Sequence, residues 1–222
     1  MMQEIFDFLT ALRNNNNREW FNANKEWYAE AKRLHEIFVA KIIKEVAVFD
    51  SDVALLSPSD CTFRIYRDVR FRKDKSPYKT NMGAYLSRGG KKSNYAGYYL
   101  HLEPGASFLG GGVWMPPAEI LKLIRLEIYN FPDEFKQIIQ NHDFVSIYGS
   151  LSGEKLKSSP KDFPSDFPEI DLLKHKSYVG TAPLSDKMIL SEHIQDDVVK
   201  SFQTLLPLVK FINRAIDEAQ SG

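Results

Sequence analysis

The chain has 222 residues, of which 43% are hydrophobic, and its 29 basic side chains are balanced by 29 acidic ones. This length and composition suffice for a full core and favour one domain over residues 1–222, while the zero net charge argues against a broadly basic nucleic-acid-binding protein. No stretch approaches the roughly 20 apolar residues of a membrane-spanning helix and no signal-peptide pattern is present, so we expect a cytoplasmic protein with no membrane partner.

Helical periodicity dominates the first fifty residues. Apolar residues within 5–12 predict a short amphipathic helix that ends at the four asparagines 14–17, because asparagine competes for backbone hydrogen bonds. A second apolar stripe runs through residues 27–49 at spacings of three and four. Its predicted N-cap is Asn24, or Asn17 if the intervening turn is continuous with the helix.

The next stretch concentrates the positive charge of the chain. Between Cys61 and Lys92 there are ten Lys or Arg residues and two Asp residues, a local net charge of +8 in a neutral chain. Within residues 63–72, apolar and charged side chains alternate, which predicts a strand with one charged face. Arg67 falls on the apolar face, so we expect either a carboxylate beside it or a bulge that turns it outward.

Three further strands are predicted after this segment. They cover residues 82–87, 95–103 and 107–114, and glycine-containing turns join them. Short connections of this kind join neighbouring antiparallel strands. With the charged strand, they predict a meander of about four strands.

The C-terminal half is predicted to be mainly helical. Prolines and acidic residues open two helices, and a long apolar stripe near the end predicts a closing helix that Pro207 kinks or divides. The predicted elements are helices at 118–127, 132–140, 166–173 and 191–219 and a strand at 177–182, with residues 144–168 mostly irregular. The element order predicts the α+β class, with an antiparallel β-meander sheet packed with helices from both the N- and C-terminal parts of the chain.

Several motifs together resemble one protein family. They are Asn17-Arg-Glu-Trp-Phe21, Phe63-Arg-Ile-Tyr-Arg-Asp-Val-Arg-Phe71, Lys73-Asp-Lys-Ser-Pro-Tyr-Lys-Thr80, Gly110-Gly-Gly-Val-Trp114 and Leu151-Ser-Gly-Glu-Lys-Leu156. Over nearly its whole length the chain resembles the uncharacterised family catalogued as domain of unknown function 2461. The resemblance implies a single domain and no assigned activity, so it contributes no catalytic residue.

We expect the basic segment, defined as residues 63–79, to bind an anion. Arginine makes bidentate contacts with phosphate or carboxylate, lysine adds positive charge, and tyrosine stacks on rings. The predicted partner is a phosphate-bearing or other anionic small molecule. Cofactors, catalytic residues and the existence of a reaction stay open. The candidate ligand-binding residues are Arg64, Tyr66, Arg67, Arg70, Arg72, Lys73, Lys75, Tyr78 and Lys79.

The same segment is compatible with three other hypotheses. It could bind nucleic acid, in which case affinity should fall linearly with the logarithm of salt concentration. It could belong to a protein-interaction module whose charges are neutralised by an acidic partner or by the rest of the chain. It could also be a solvated edge strand whose charges prevent edge-to-edge pairing.

Three further features of the sequence are considered as parts of a functional site. The glycines 110–112 inside a predicted strand indicate a bulge, or close approach by a ligand or another backbone. His101 and Glu103 share one face of a strand and could be an acid–base pair, two metal ligands or a solvated surface pair, but no third ligand can be placed and no metal site is predicted. Cys61, the single cysteine, excludes an intramolecular disulfide and is expected to be a small buried residue.

Overall fold

The computed structural model describes residues 1–70 and 73–221. Within these residues, one antiparallel sheet is built from β1 (Met82–Ser87), β2 (Gly97–Leu102), β3 (Phe108–Val113), β4 (Leu151–Ser152) and β5 (Tyr178–Pro183). The order of neighbours is β1-β2-β3-β5-β4. The first three strands form a meander of three strands instead of the predicted four, because the charged segment does not join it, and β5 returns to the sheet as expected. The predicted α+β class is confirmed.

Along the chain, helices come before β1 and after β3. They are α1 (Met2–Asn14), α2 (Arg18–Ala23), α3 (Lys25–Val46), α4 (Pro58–Cys61), α5 (Ala118–Asn130), α6 (Pro132–Ile139), α7 (His142–Tyr148), α8 (Ile170–Leu173), α9 (Asp186–Ile189) and α10 (Ile194–Ser221), with a 3-10 turn at Ser51–Val53. The Asn17 side chain accepts a hydrogen bond from the backbone N–H of Trp20 at 2.9 Å. Asn17 therefore caps α2, and α3 begins separately at Asn24.

Two predictions for the C-terminal half are wrong in part. α10 continues through Pro207 as one helix, so it is not divided. Proline removes one ladder hydrogen bond, and the buried Leu205 and Leu208 on either side hold the helix against the core. The stretch expected to be mostly irregular contains α7, which starts at an asparagine cap and buries Phe144 and Tyr148 four residues apart.

The core lies between the helices and one face of the sheet. The ring of Tyr98 on β2 lies 5.2 Å from that of Phe202 on α10. Leu205 packs on Gly111 of β3, where a Cβ atom would approach its Cδ1 to 2.8 Å. Alternate residues of each strand point the other way, and this opposite side, the open face, lines the cavity described below.

The basic segment is not the predicted strand. Isolated bridges pair Thr62 with Ala84 and Tyr66 with Tyr78. The N–H of Arg67 donates to the Pro77 carbonyl at 2.9 Å, so the segment folds back on itself as a loop beside β1. Proline offers no N–H for a continuous ladder, and a regular strand pairing cannot extend past it. Phe71 and Arg72 lie outside the described residues.

Candidate ligand-binding site

The open face of the sheet forms the floor of a cavity of about 910 Å³, here called the apolar cavity. Glycines of β3 leave this floor without side chains. Aromatic residues from four parts of the chain line its walls, among them Phe63, Tyr85, Tyr99, Phe108 and Trp114. The strand alternation explains the arrangement, because every second residue of β1, β2, β3 and β5 points to this side.

The glycines of β3 are required by a neighbouring backbone. A Cβ atom at Gly110 would lie 2.5 Å from the carbonyl oxygen of Gly180, and one at Gly112 would overlap the carbonyl of Tyr178. Gly112 also has a φ of +115°, which favours glycine. The register between β3 and β5 is unbroken, so the bulge is wrong and the close backbone approach is confirmed. The same glycines keep the cavity floor flat.

A second cavity of about 700 Å³, here called the basic cavity, lies beside the first. Its lining includes Arg64, Tyr66, Arg67, Lys79 and one carboxylate, Asp68. Phe63, Tyr99 and His101 line both cavities. The open face of the sheet and the basic segment therefore line two adjacent cavities, one apolar and one charged, which are together called the groove.

Two of the predicted arginines have carboxylate partners. Arg67 forms an ion pair with Asp74, so the carboxylate expected beside it is present. Hydrogen bonds from Ser76, and after them the one from Arg67, lower the pKa of Asp74 to about 2. Arg70 binds Asp68 through Nε at 3.0 Å and NH2 at 2.7 Å. These pairs engage two of the ten local cations, and their carboxylates are the two Asp residues already counted in the local charge of +8.

Other predicted residues serve the loop itself. The Lys75 ammonium donates to the carbonyl of Val69 at 3.0 Å. Tyr78 is buried and stacks on Phe21 with ring centroids 3.9 Å apart, so its ring is not open to a ligand. Of the candidates, Arg70, Lys73, Lys75 and Tyr78 line neither of the two cavities, and Arg72 is outside the described residues.

The structure brings together four of the predicted residues around the basic cavity: Arg64, Tyr66, Arg67 and Lys79. In the part of the chain that the structure describes, no ion pair involves the exposed Arg64. The Lys79 ammonium lies 5.7 Å from the centre of the Phe63 ring. The positive charge of Lys79 therefore lies next to Phe63, an aromatic residue that lines both cavities.

A hydrogen-bonded chain of side chains crosses this junction. The Tyr99 hydroxyl lies 3.0 Å from His101 Nδ1, and His101 Nε2 lies 3.0 Å from a carboxylate oxygen of Glu103. Thr80 donates to the other oxygen of Glu103 at 2.6 Å. Burial, and after it the charge of Glu103, raises the pKa of Tyr99 to about 12. Tyr99 is therefore a neutral hydroxyl at physiological pH, as an unperturbed tyrosine also is.

The sequence reasoning weighed His101 and Glu103 but missed Tyr99. The side chains of His101 and Glu103 are 13% and 23% exposed, so a freely solvated surface pair is wrong. The His101 ring stacks on Phe108 with centroids 4.6 Å apart, which fixes its orientation. Polar residues at three alternate positions of one strand were the available signal, since they share a face.

The described residues do not favour a metal site or a cysteine nucleophile. Among residues 1–70 and 73–221, no group of three or more His, Cys, Asp or Glu side chains is arranged to hold a metal ion. Burial raises the pKa of the Cys61 thiol to about 12, which makes it a poor nucleophile. In the same described range, every helix is too short or too polar to cross a membrane.

The fold and the site define an α+β protein whose antiparallel sheet carries helices on one face and a two-part groove on the other. The chain belongs to a family of conserved hypothetical proteins, DUF2461, whose model matches residues 4–211. This confirms the resemblance seen in the sequence motifs. The comparisons with curated proteins and with solved structures gave no match.

Proposed function

We propose that the protein binds a small molecule that has a flat apolar body and an anionic group. The body would lie on the glycine floor of the apolar cavity, and the anion would face Arg64 and Lys79 in the basic cavity. The observation that carries this proposal is that the two cavities share Phe63, Tyr99 and His101. The proposed ligand would extend past these shared side chains from one cavity into the other.

The size and lining of the apolar cavity support this ligand class. Its volume of about 910 Å³ lies within the roughly 300–1,000 Å³ typical of small-molecule pockets. Such pockets combine aromatic walls with a few polar groups that set orientation. Here the aromatic side chains stand over a floor that has no side chains at Gly110 and Gly112.

The charges favour a compact anion over a nucleic-acid strand. A phosphate-tracking surface needs a row of available cations. Instead, Arg67 and Arg70 pair with Asp74 and Asp68, and Arg88 pairs with two carboxylates of its own. Arg64 and Lys79 both line the basic cavity, which supports a ligand with a single phosphate, carboxylate or sulfonate.

Two fluorescent dyes that differ by one charged group test the proposal. 8-Anilinonaphthalene-1-sulfonate has an aromatic body and a sulfonate, and N-phenyl-1-naphthylamine lacks the sulfonate. We expect the native protein to bind both, with higher affinity for the sulfonate. The double variant Arg64→Gln/Lys79→Gln should weaken binding of the sulfonate about tenfold and leave binding of the neutral dye unchanged.

A variant of Thr181 tests the location of the apolar body. Thr181 lines the apolar cavity and its hydroxyl lies 2.7 Å from that of Ser152. Thr181→Phe should fill the cavity and weaken both dyes, whereas Thr181→Val loses the same hydrogen bond, keeps the size and should bind normally. Failure of the native protein to bind either dye, or equal binding by the Phe and Val variants, would refute the proposal.

A further inference from the structure

We infer that Tyr99, His101 and Glu103 form a proton relay that accepts a proton from a hydroxyl group of the bound ligand. The inference rests on the proposed function and narrows the ligand class to aromatic anions that carry an ionisable hydroxyl group, such as phenols with a carboxylate. The relay gives the groove a chemical step in addition to binding.

The direction of the hydrogen bonds supports the relay. An ionised Glu103 carboxylate only accepts hydrogen bonds, and it receives one from Thr80 at 2.6 Å. His101 Nε2, 3.0 Å from the other oxygen, must therefore carry a hydrogen, which leaves Nδ1 of the neutral ring as an acceptor. The Tyr99 hydroxyl then donates to Nδ1 at 3.0 Å.

This arrangement determines what Tyr99 offers to a ligand. Its hydrogen is engaged with His101, so only oxygen lone pairs are available to a third group. A ligand atom that binds there must be a hydrogen-bond donor. Because the pKa of Tyr99 is raised to about 12, its phenol stays protonated at neutral pH and does not act as a tyrosinate.

The position of the relay matches the junction of the groove. Tyr99 and His101 line both cavities. The Tyr99 hydroxyl extends over Gly83 of β1, where a Cβ atom would approach it to 2.8 Å, so the glycine makes room for it. A ligand with its ring on the glycine floor and its anion beside Arg64 would pass this hydroxyl.

The proton transfer is balanced without any further reactant. The ligand O–H bond breaks and its proton moves to Tyr99 Oη, while the proton of Tyr99 moves to His101 Nδ1. The ligand oxygen gains one negative charge and His101 one positive charge. Glu103 stabilises the imidazolium. The charged groups lining the basic cavity are Arg64, Arg67, Asp68 and Lys79, and the excess of cations favours the ionised ligand.

The probe 7-hydroxycoumarin-3-carboxylate tests the relay, because its neutral and ionised hydroxyl forms absorb at different wavelengths. The native protein should lower the apparent pKa of the bound probe by one unit or more, a tenfold shift toward the ionised form. Tyr99→Phe should abolish this shift. His101→Phe, which keeps an aromatic ring against Phe108 and removes both nitrogens, should abolish it too.

The matching 7-methoxy compound has no ionisable hydroxyl and serves as the control for folding and binding. The affinity of each variant for this compound measures any change in folding or binding, because Tyr99 and His101 line both cavities, and separates it from the change in ionisation. Ionisation that persists in Tyr99→Phe would show that the cations alone cause it and would overturn the relay. Binding of the naphthalene dyes without ionisation of the coumarin would overturn the relay and leave the proposed function standing. Absence of dye binding would overturn both.

Discussion

The side-chain amide of Asn16 makes two hydrogen bonds with the backbone of Tyr78. Its Nδ2 donates to the Tyr78 carbonyl at 3.0 Å, and its Oδ1 accepts from the Tyr78 N–H at 3.1 Å. The side chain thus pairs with the basic segment as a neighbouring strand would. With Phe21 stacked on the Tyr78 ring, the N-terminal helices hold one arm of the loop that lines the basic cavity.

Asn16→Ala should destabilise the protein and loosen this loop. It leaves two backbone groups of the buried Tyr78 without partners, which is expected to lower the free energy of unfolding by about 1–3 kcal/mol. Urea unfolding measures the loss, and amide hydrogen exchange over residues 64–79 shows whether it is local. The exposed neighbour Asn14 is the matched control, and Asn14→Ala should change neither.

Alanine substitutions at two glycines with positive φ, Gly105 and Gly112, should lower the free energy of unfolding by unequal amounts. Gly105 has a φ of +78° and open space where a Cβ atom would be, so Gly105→Ala should lower the free energy of unfolding by only about 1–2 kcal/mol. Gly112→Ala adds an overlap with the Tyr178 carbonyl and should lower it by roughly 4 kcal/mol or more. Urea unfolding of both variants tests this. Equal effects would mean that β3 moves away from β5 without penalty.

A buried carboxylate makes Arg214 important for stability. Arg214 of α10 binds the buried Glu127 of α5 through Nε and Glu134 of α6 at 2.8 and 3.0 Å. Arg214→Ala would leave Glu127 buried without its cation, and the free energy of unfolding should fall by about 3–5 kcal/mol.

The solvent-exposed ion pair between Arg33 and Glu30, whose side chains are 58% and 45% exposed, provides the control for this variant. Arg33→Ala removes a guanidinium from a surface ion pair on one helix and should leave the unfolding curve almost unchanged. If both arginine variants unfold at the same urea concentration, the ion-pair network between α10, α5 and α6 does not contribute as the burial of Glu127 indicates.

His35 should make the protein less stable in mild acid. Burial lowers the pKa of His35 from 6.5 to about 4, and within the described chain its Nε2 has no hydrogen-bond partner. Below pH 6.5 the unfolded chain binds a proton that the folded protein does not, so stability falls as the pH decreases from 6.5 to 4. The loss from this group is at most about 3 kcal/mol.

His35→Leu should remove that part of the pH dependence. Urea unfolding at pH 7 and at pH 4.5 would then show a smaller difference in the variant than in the native protein. His142 is almost fully exposed and serves as control, so His142→Gln should keep the native pH dependence. An unchanged difference in His35→Leu would contradict the role of burial.

Local patterns were sufficient for most of the secondary structure. The bounds of β1 follow from alternation between turn residues, and the first residues of α5 and α6 follow from prolines before helical periodicity. For Arg67 the sequence predicted either a bulge or a partner carboxylate, and the structure shows the carboxylate. Its identity as Asp74 depended on how the loop folds back.

The candidate site was predicted only in part. Arg64, Tyr66, Arg67 and Lys79 do meet around a cavity, whereas Tyr78 faces the interior. The alternation of residues 63–72 suggested a strand, but Pro77 in the opposing arm prevents a continuous ladder. The charge pattern of one segment does not show which of its cations form ion pairs, because that depends on how the loop folds.

By itself, the sequence determined the class of fold, the order of its elements and the segment that carries the excess positive charge, because these depend on neighbouring residues. Only the tertiary structure decided that β3 and β5 lie side by side with glycines between them, and that Tyr99 and His101 face a cavity while Glu103 contacts His101. The physical reason is that a groove is formed by surfaces far apart in the chain. Their facing directions are set by strand register and by packing of the opposite face on the helices.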